Sequence, residues 1–328
     1  MIKRILLITF LSLIVMYLVG PSPKHGRYDA KLGKIPYEGM ALEEWVKARE
    51  AKAKPKPDNE ARIIWANDSS KARTTYAVIY LHGFTASQEE GDPVHLNFAR
   101  HIGANLYLSR LSEHGILGDK PLMNMTATSL WESAKDAYAI GRKLGDSVII
   151  MGTSTGGTLA LMLAAEQYPE IAGVVLLSPN IEINESLAFL LNDHWGLQIA
   201  RYVKKGETMA AKDTTARYRR YWNSPYRIEG AVEVQQLLED KMNDETFRAV
   251  KQPLLLMYYF RDDVHQDSVV KVSAMLDMFG KISSPVKKKV PIPNAGDHVI
   301  GSYLKSHDLE TVQREALGFA DQLGWSVR

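Results

Sequence analysis

Short apolar runs recur from about residue 61 to residue 325, and polar or helix-patterned stretches separate them. Ile63–Ala66, Ala77–Leu81, Asn105–Leu108, Val148–Met151, Ile171–Leu177 and Pro253–Phe260 each read as buried strands, and Lys289–Pro293 continues the series. Between them, Asp92-Pro93 starts a helix reaching about Ile102, Ser129–Leu144 forms a second, and the segment after Gly157 a third. Thr311–Leu323 closes the chain as a further helix. Strands alternating with helices predict an α/β protein with a mainly parallel, doubly wound sheet. Two regions fall outside that alternation. Residues 182–249 fit no strand–helix unit, and residues 23–60 hold a linker plus a short amphipathic helix at Ala41–Lys52, with Leu42, Trp45 and Val46 on one face. The expected organisation is therefore a core at 61–181 and 250–328, interrupted by an insertion at 182–249.

The strand Val148–Met151 runs directly into Gly152-Thr153-Ser154-Thr155-Gly156, and an apolar helix follows. A serine at the centre of such a strand–turn–helix junction holds its hydroxyl clear of the backbone. Glycines two positions away on either side let strand and helix pass closely. A serine hydroxyl is a weak nucleophile at neutral pH, so a base must take its proton and an acid must orient that base. Two downstream segments supply candidates. The strand 253–260 ends in Arg261-Asp262-Asp263-Val264-His265, and Asn294-Ala295-Gly296-Asp297-His298 follows the next strand. Ser154, Asp262 and His298 are the expected nucleophile, acid and base, with Asp263 and then Asp297 as alternatives for the acid. A further strand runs into His82-Gly83-Phe84-Thr85. Backbone N–H groups at Phe84 and Thr155 are the expected oxyanion donors. His82 competes as a base but precedes the serine, and structural support of its own loop suits it better.

Together, Leu81-His82-Gly83-Phe84, residues 104–115, Gly152–Gly157, the segment around Asp262 and Ala295–His298 resemble the α/β-hydrolase superfamily. The similarity is greatest to bacterial monoacylglycerol-lipase-like and lysophospholipase-like esterases, and it spans roughly residues 61–325. The order Ser, Asp, His along the chain agrees with it. The resemblance implies a serine hydrolase that needs neither metal nor cofactor, and it places a helical cap at 182–249. One departure stands out: relatives carry Gly-His-Gly where this chain has Glu113-His114-Gly115.

Composition narrows the picture modestly. With 328 residues, 45% of them hydrophobic, the chain can bury one large core, and a net charge of +2 gives no argument for nucleic acid as a partner. The absence of cysteine excludes disulfides and a thiol nucleophile. No histidine spacing matches a metal motif. At the N-terminus, Lys3 and Arg4 precede an apolar run from Ile5 to Gly20. Residues 1–22 are therefore expected to be a membrane anchor, with a cleaved signal peptide as the alternative; Leu18-Val19-Gly20 makes a poor cleavage site. That expectation puts the enzyme on the extracytoplasmic side, or else secreted or periplasmic. The function expected is hydrolysis of carboxylic esters, including lipid-like ones. The alternatives are a peptidase or amidase on the same three residues, or a binding protein that retains the fold without catalysis.

Overall fold

The computed structural model describes residues 2–326. Seven strands form one sheet in the order β1-β3-β2-β4-β5-β8-β9. They are β1 (Arg62–Ile64), β2 (Thr74–Leu81), β3 (Asn105–Leu108), β4 (Gly145–Thr153), β5 (Ile171–Leu177), β8 (Leu254–Tyr258) and β9 (Lys287–Pro291). A separate two-stranded pair joins β6 (Thr208–Met209) to β7 (Tyr226–Arg227). Only β1 runs antiparallel to its neighbour in the sheet, and every other pairing there is parallel. The central strands are buried on both faces, which explains their unbroken apolar runs.

Helices cover the two faces unequally. On one side lie α3 (Val94–His101) and α11 (Leu309–Gln322), whose Phe98, Val312 and Phe319 pack with Val78, Ile149 and Leu255 of the sheet. The opposite face carries α4 (Ala127–Leu144), α5 (Thr155–Ala165) and α10 (Val272–Lys281). The fourth helix begins at Ala127, two residues before the sequence pattern indicates. Thr126 accepts the Ser129 N–H while the Ser129 hydroxyl takes the Thr126 N–H, a reciprocal cap that extends the helix backwards. Almost every residue of α5 is buried, as expected of a helix apolar all round.

Between β5 and β8 the chain forms α6 (Gly196–Lys204), the small β6–β7 pair, α7 (Ala216–Tyr221), α8 (Ile228–Lys241) and α9 (Asp244–Ala249). Val234, Leu237 and Leu238 of α8 and Phe247 of α9 share the main core cluster with α4 and α5, so the second half of this insertion packs as part of the core. Its first half is less covered, with Leu187, Phe189, Tyr202 and Val203 exposed.

The N-terminal region divides in two. Helix α1 (Ile2–Leu18) has no buried residue and touches the insertion at its C-terminal end, where Tyr17 Oη donates to Asp193 at 2.5 Å and Trp195 N to Pro21 O at 2.8 Å. No described helix is long and apolar enough to cross a membrane, so the spanning anchor expected at residues 1–22 is not supported. Its 17 residues extend only about 26 Å, less than the hydrocarbon core of a bilayer. Residues 25–35 form an extended strap. Trp131 Nε1 donates to Asp29 O at 2.8 Å, Tyr28 Oη to Asp240 at 2.8 Å, and Lys135 Nζ reaches Asp29 at 3.1 Å. Helix α2 (Gly39–Ala53) follows and buries Leu42 and Val46 against the same core.

Candidate active site

Ser154 lies between the end of β4 and the start of α5 with φ +53° and ψ −121°, a conformation rare for a residue with a side chain. Close packing around the turn explains why the glycines are required. A Cβ on Gly152 would lie 2.4 Å from Gly156 O, and one on Gly156 only 1.9 Å from Leu81 O. The backbone at Ser154 is held on both sides, its N–H donating to Leu177 O at 3.1 Å and its carbonyl accepting from Asn180 N at 2.9 Å. The serine is only 7% exposed.

His298 lies in the loop after β9 and is 9% exposed. Its Nδ1 donates to Asp267 Oδ2 at 2.6 Å, which leaves Nε2 unprotonated, buried and without a hydrogen-bond partner. Burial pushes the pKa of His298 down, but the Asp267 carboxylate outweighs it and the net shift is upward. At Asp267, burial pushes up, and the charge and hydrogen bond of His298, aided by the N–H groups of Val269 and Val270, carry the pKa below the usual carboxylate range.

The structure does not bring the expected acid, Asp262, to the histidine. Residues 261–265 form an excursion closed by a bridge between Phe260 and Gln266. Within it the exposed Asp262 pairs with His265, accepting its N–H at 2.8 Å and its ring Nδ1 at 2.9 Å. The strand direction resumes only past Gln266, where Asp267 N donates to Tyr259 O at 3.2 Å. Neither alternative replaces it: Asp263 lies in the same exposed excursion, and Asp297 accepts the nearby Val299 N–H. A usable signal was present, since Asp267-Ser268-Val269 has the same order of acid, variable residue and apolar residue as Asp262-Asp263-Val264.

Strand β2 ends in the loop His82–Thr85. His82 donates from Nδ1 to Gly83 O at 2.9 Å and accepts Leu111 N–H on Nε2 at 3.1 Å, so both ring nitrogens are committed to bracing. Burial pushes its pKa down to about 4, keeping the ring neutral. Phe84 N and Thr155 N donate to no protein acceptor among the described residues. Glu113, the non-glycine position before His114, takes φ +63°, a left-handed turn formed without glycine. Beside the site, Tyr221 and Trp222 of the insertion are buried with Ala86, which follows Thr85, and with Val299, which follows His298.

A parallel-sheet α/β protein with a strained serine turn between strand and helix, a buried histidine–aspartate pair and a braced loop after β2 defines a class of hydrolase architecture. The sequence profile described as alpha/beta hydrolase fold matches residues 63–243, and the chain belongs to that family. Among solved structures, the chain is similar to one described under "LipS and LipT, two metagenome-derived lipolytic enzymes", at 17% identity and a TM-score of 0.65, covering 82% of this chain and 100% of the other. A monoacylglycerol lipase from Paleococcus ferrophilus aligns at 14% identity and TM-score 0.59, over 81% of this chain and 98% of that one. A soluble variant of monoglyceride lipase from Saccharomyces cerevisiae aligns at 13% identity and TM-score 0.58, over 94% and 100%. No curated protein matches the sequence significantly.

Proposed function

We propose that the protein is a serine hydrolase of carboxylic esters, with Ser154 as nucleophile, His298 as general base and Asp267 as the orienting acid. The observation that carries this reading is the strained Ser154 turn together with a buried histidine, both of which border the Glu90 carboxyl. The Nδ1 of that histidine is fixed by Asp267, and its Nε2 is free. In the reaction, Ser154 Oγ attacks the acyl carbon as its proton passes to His298 Nε2. Asp267 stabilises the resulting imidazolium. The Phe84 and Thr155 N–H groups, with no protein acceptor of their own, receive the developing oxyanion. Collapse expels the alcohol, which takes the proton from Nε2 and leaves an acyl-serine. Water activated by the same nitrogen then releases the acid and regenerates Ser154.

Lipid-like acyl esters are the substrate class we favour. Several structures of similar fold are described as lipolytic enzymes or monoacylglycerol lipases, and aromatic side chains of the insertion pack beside the site. The deciding test is covalent labelling by a fluorophosphonate together with hydrolysis of a p-nitrophenyl ester. Wild type should do both, and Ser154→Ala should abolish labelling and lower kcat by about 10⁵- to 10⁶-fold. Undiminished turnover in Ser154→Ala would remove this reading.

A further inference from the structure

Two adjacent glutamates stand behind the cleft, each tied to a different catalytic loop. Glu89 faces the histidine loop, where Tyr303 Oη donates to its carboxylate at 2.6 Å and Ser302 Oγ to its carbonyl at 2.8 Å. Glu90 faces the other way. Its Oε2 accepts the backbone N–H of Gly83, the residue before the Phe84 donor, and its side chain is 2% exposed. Both Glu90 carboxyl oxygens and Ser154 Cβ lie 2.9 Å from the point where a Gly83 Cβ would stand, so the carboxyl sits beside the nucleophile. Among the described residues no cation pairs with it directly. The groups facing it are Tyr80 of β2, His298 and Asp297 of the histidine loop and Tyr218 of α7, with Glu89 and Asp92 on its own segment.

A carboxylate at this place would oppose catalysis. Negative charge develops on the substrate oxygen beside Phe84 N–H, and Asp267 already balances the imidazolium. A second fixed anion would repel the oxyanion without a cation to offset it. A neutral carboxylic acid avoids this and still accepts the Gly83 N–H through its carbonyl oxygen. We propose that Glu90 is a positioning residue that holds the oxyanion loop and works in its protonated form, so that losing its proton to solvent switches the site off. This inference rests on the serine-hydrolase reading of the same site. Burial pushes the Glu90 pKa up to about 8, with the Gly83 N–H and His298 opposing that shift and Asp297 adding to it.

The expected pH profile of kcat/KM is a bell whose acid limb belongs to His298 and whose alkaline limb, near pH 8, belongs to Glu90. Glu90→Gln keeps an acceptor for Gly83 and cannot ionise. It should stay within about threefold of wild type at pH 7, lose the alkaline limb, and exceed wild type by about tenfold or more at pH 9.5. Glu90→Ala strands the Gly83 N–H and should lower kcat by about 10- to 100-fold at every pH with little change in KM. If Glu90→Gln proves unfoldable, wild type alone decides: the infrared carbonyl band of a buried protonated carboxyl should vanish with the midpoint of the alkaline limb. A profile with no alkaline limb, a limb that persists in Glu90→Gln, or an infrared midpoint that differs from the limb would overturn the proposal. A wild type that neither labels with fluorophosphonate nor hydrolyses esters would remove the parent reading and this one with it. Labelling and turnover without an alkaline limb would remove this one alone.

Discussion

At residue scale the site depends on how backbone and side chains are over-determined. The left-handed φ of Ser154 costs on the order of 1–3 kcal/mol and persists because strand, helix and the Asn180 N–H all fix it. The histidine is fixed in the same way through Asp267, whose Oδ1 also accepts Val269 and Val270 N–H at 2.8 and 3.1 Å. Asp267→Asn should therefore lower kcat on a p-nitrophenyl ester by about 10²- to 10⁴-fold, because the imidazole loses its orienting anion. Asp262→Asn, which alters an exposed pairing with His265, should change kcat less than about tenfold; steady-state kinetics of the two variants would detect a reversed order at once. The serine and the histidine were legible in the sequence because each is framed by glycines that mark a turn. The aspartate that pairs with the histidine was not. Which one does so depends on the Phe260–Gln266 bridge, a contact that loops out the five residues 261–265 and leaves no trace in hydrophobic periodicity.

The elements were legible where burial is two-sided and obscure where it is not. The central strands β2, β4, β5 and β8 stand out as apolar runs. In contrast, β9 carries Lys287, Lys288 and Lys289 at the sheet edge, and α10 was invisible beside it. The strap at 25–35 looked like a linker because it is extended and polar, yet it joins α4 and α8 by side-chain and backbone bonds. Helix α1 differs, since it buries nothing. A chain starting at Lys24 should keep kcat/KM on a short, water-soluble ester within about threefold, whereas one starting at Ile35 should lose roughly 2–4 kcal/mol of stability with the bonds of Tyr28 and Asp29. Urea titration of the two truncations would show equal stabilities if the strap were a passive linker.

For the whole molecule, the buried ionisable groups set a window of stability. His82, His95 and His114 are held neutral by burial, with pKa values of about 4 for the first two and well below the ordinary histidine value for the third. Between pH 4.5 and 6.5 the unfolded chain binds protons at these residues and the folded chain does not, so stability rises with pH. Glu90 acts oppositely, keeping a proton in the fold up to about pH 8 that the unfolded chain releases near 4.5. The three histidines, with the carboxylates held below their ordinary range such as Asp213 and Asp267, outweigh Glu90 in this window, so the net slope is upward with pH. Above 6.5 the raised pKa values of His298 and Glu90 make stability fall again, until both have titrated. Stability should therefore peak near neutral pH and decline on both sides, with the alkaline decline shallower in Glu90→Gln. Urea titrations at half-unit pH steps that show a flat plateau from pH 5 to 8 would contradict this balance.

The insertion and Asp267 share one set of stitches. Ile183 bridges Val270, Asn184 N donates to Val269 O at 2.9 Å, Lys271 N donates to Glu182 O at 2.9 Å, and the Asn184 side chain reaches Asp267 O. The start of the insertion is thus tied to the segment that carries Asp267, so a displacement at Glu182–Asn184 would be passed on to the 2.6 Å contact between Asp267 and His298.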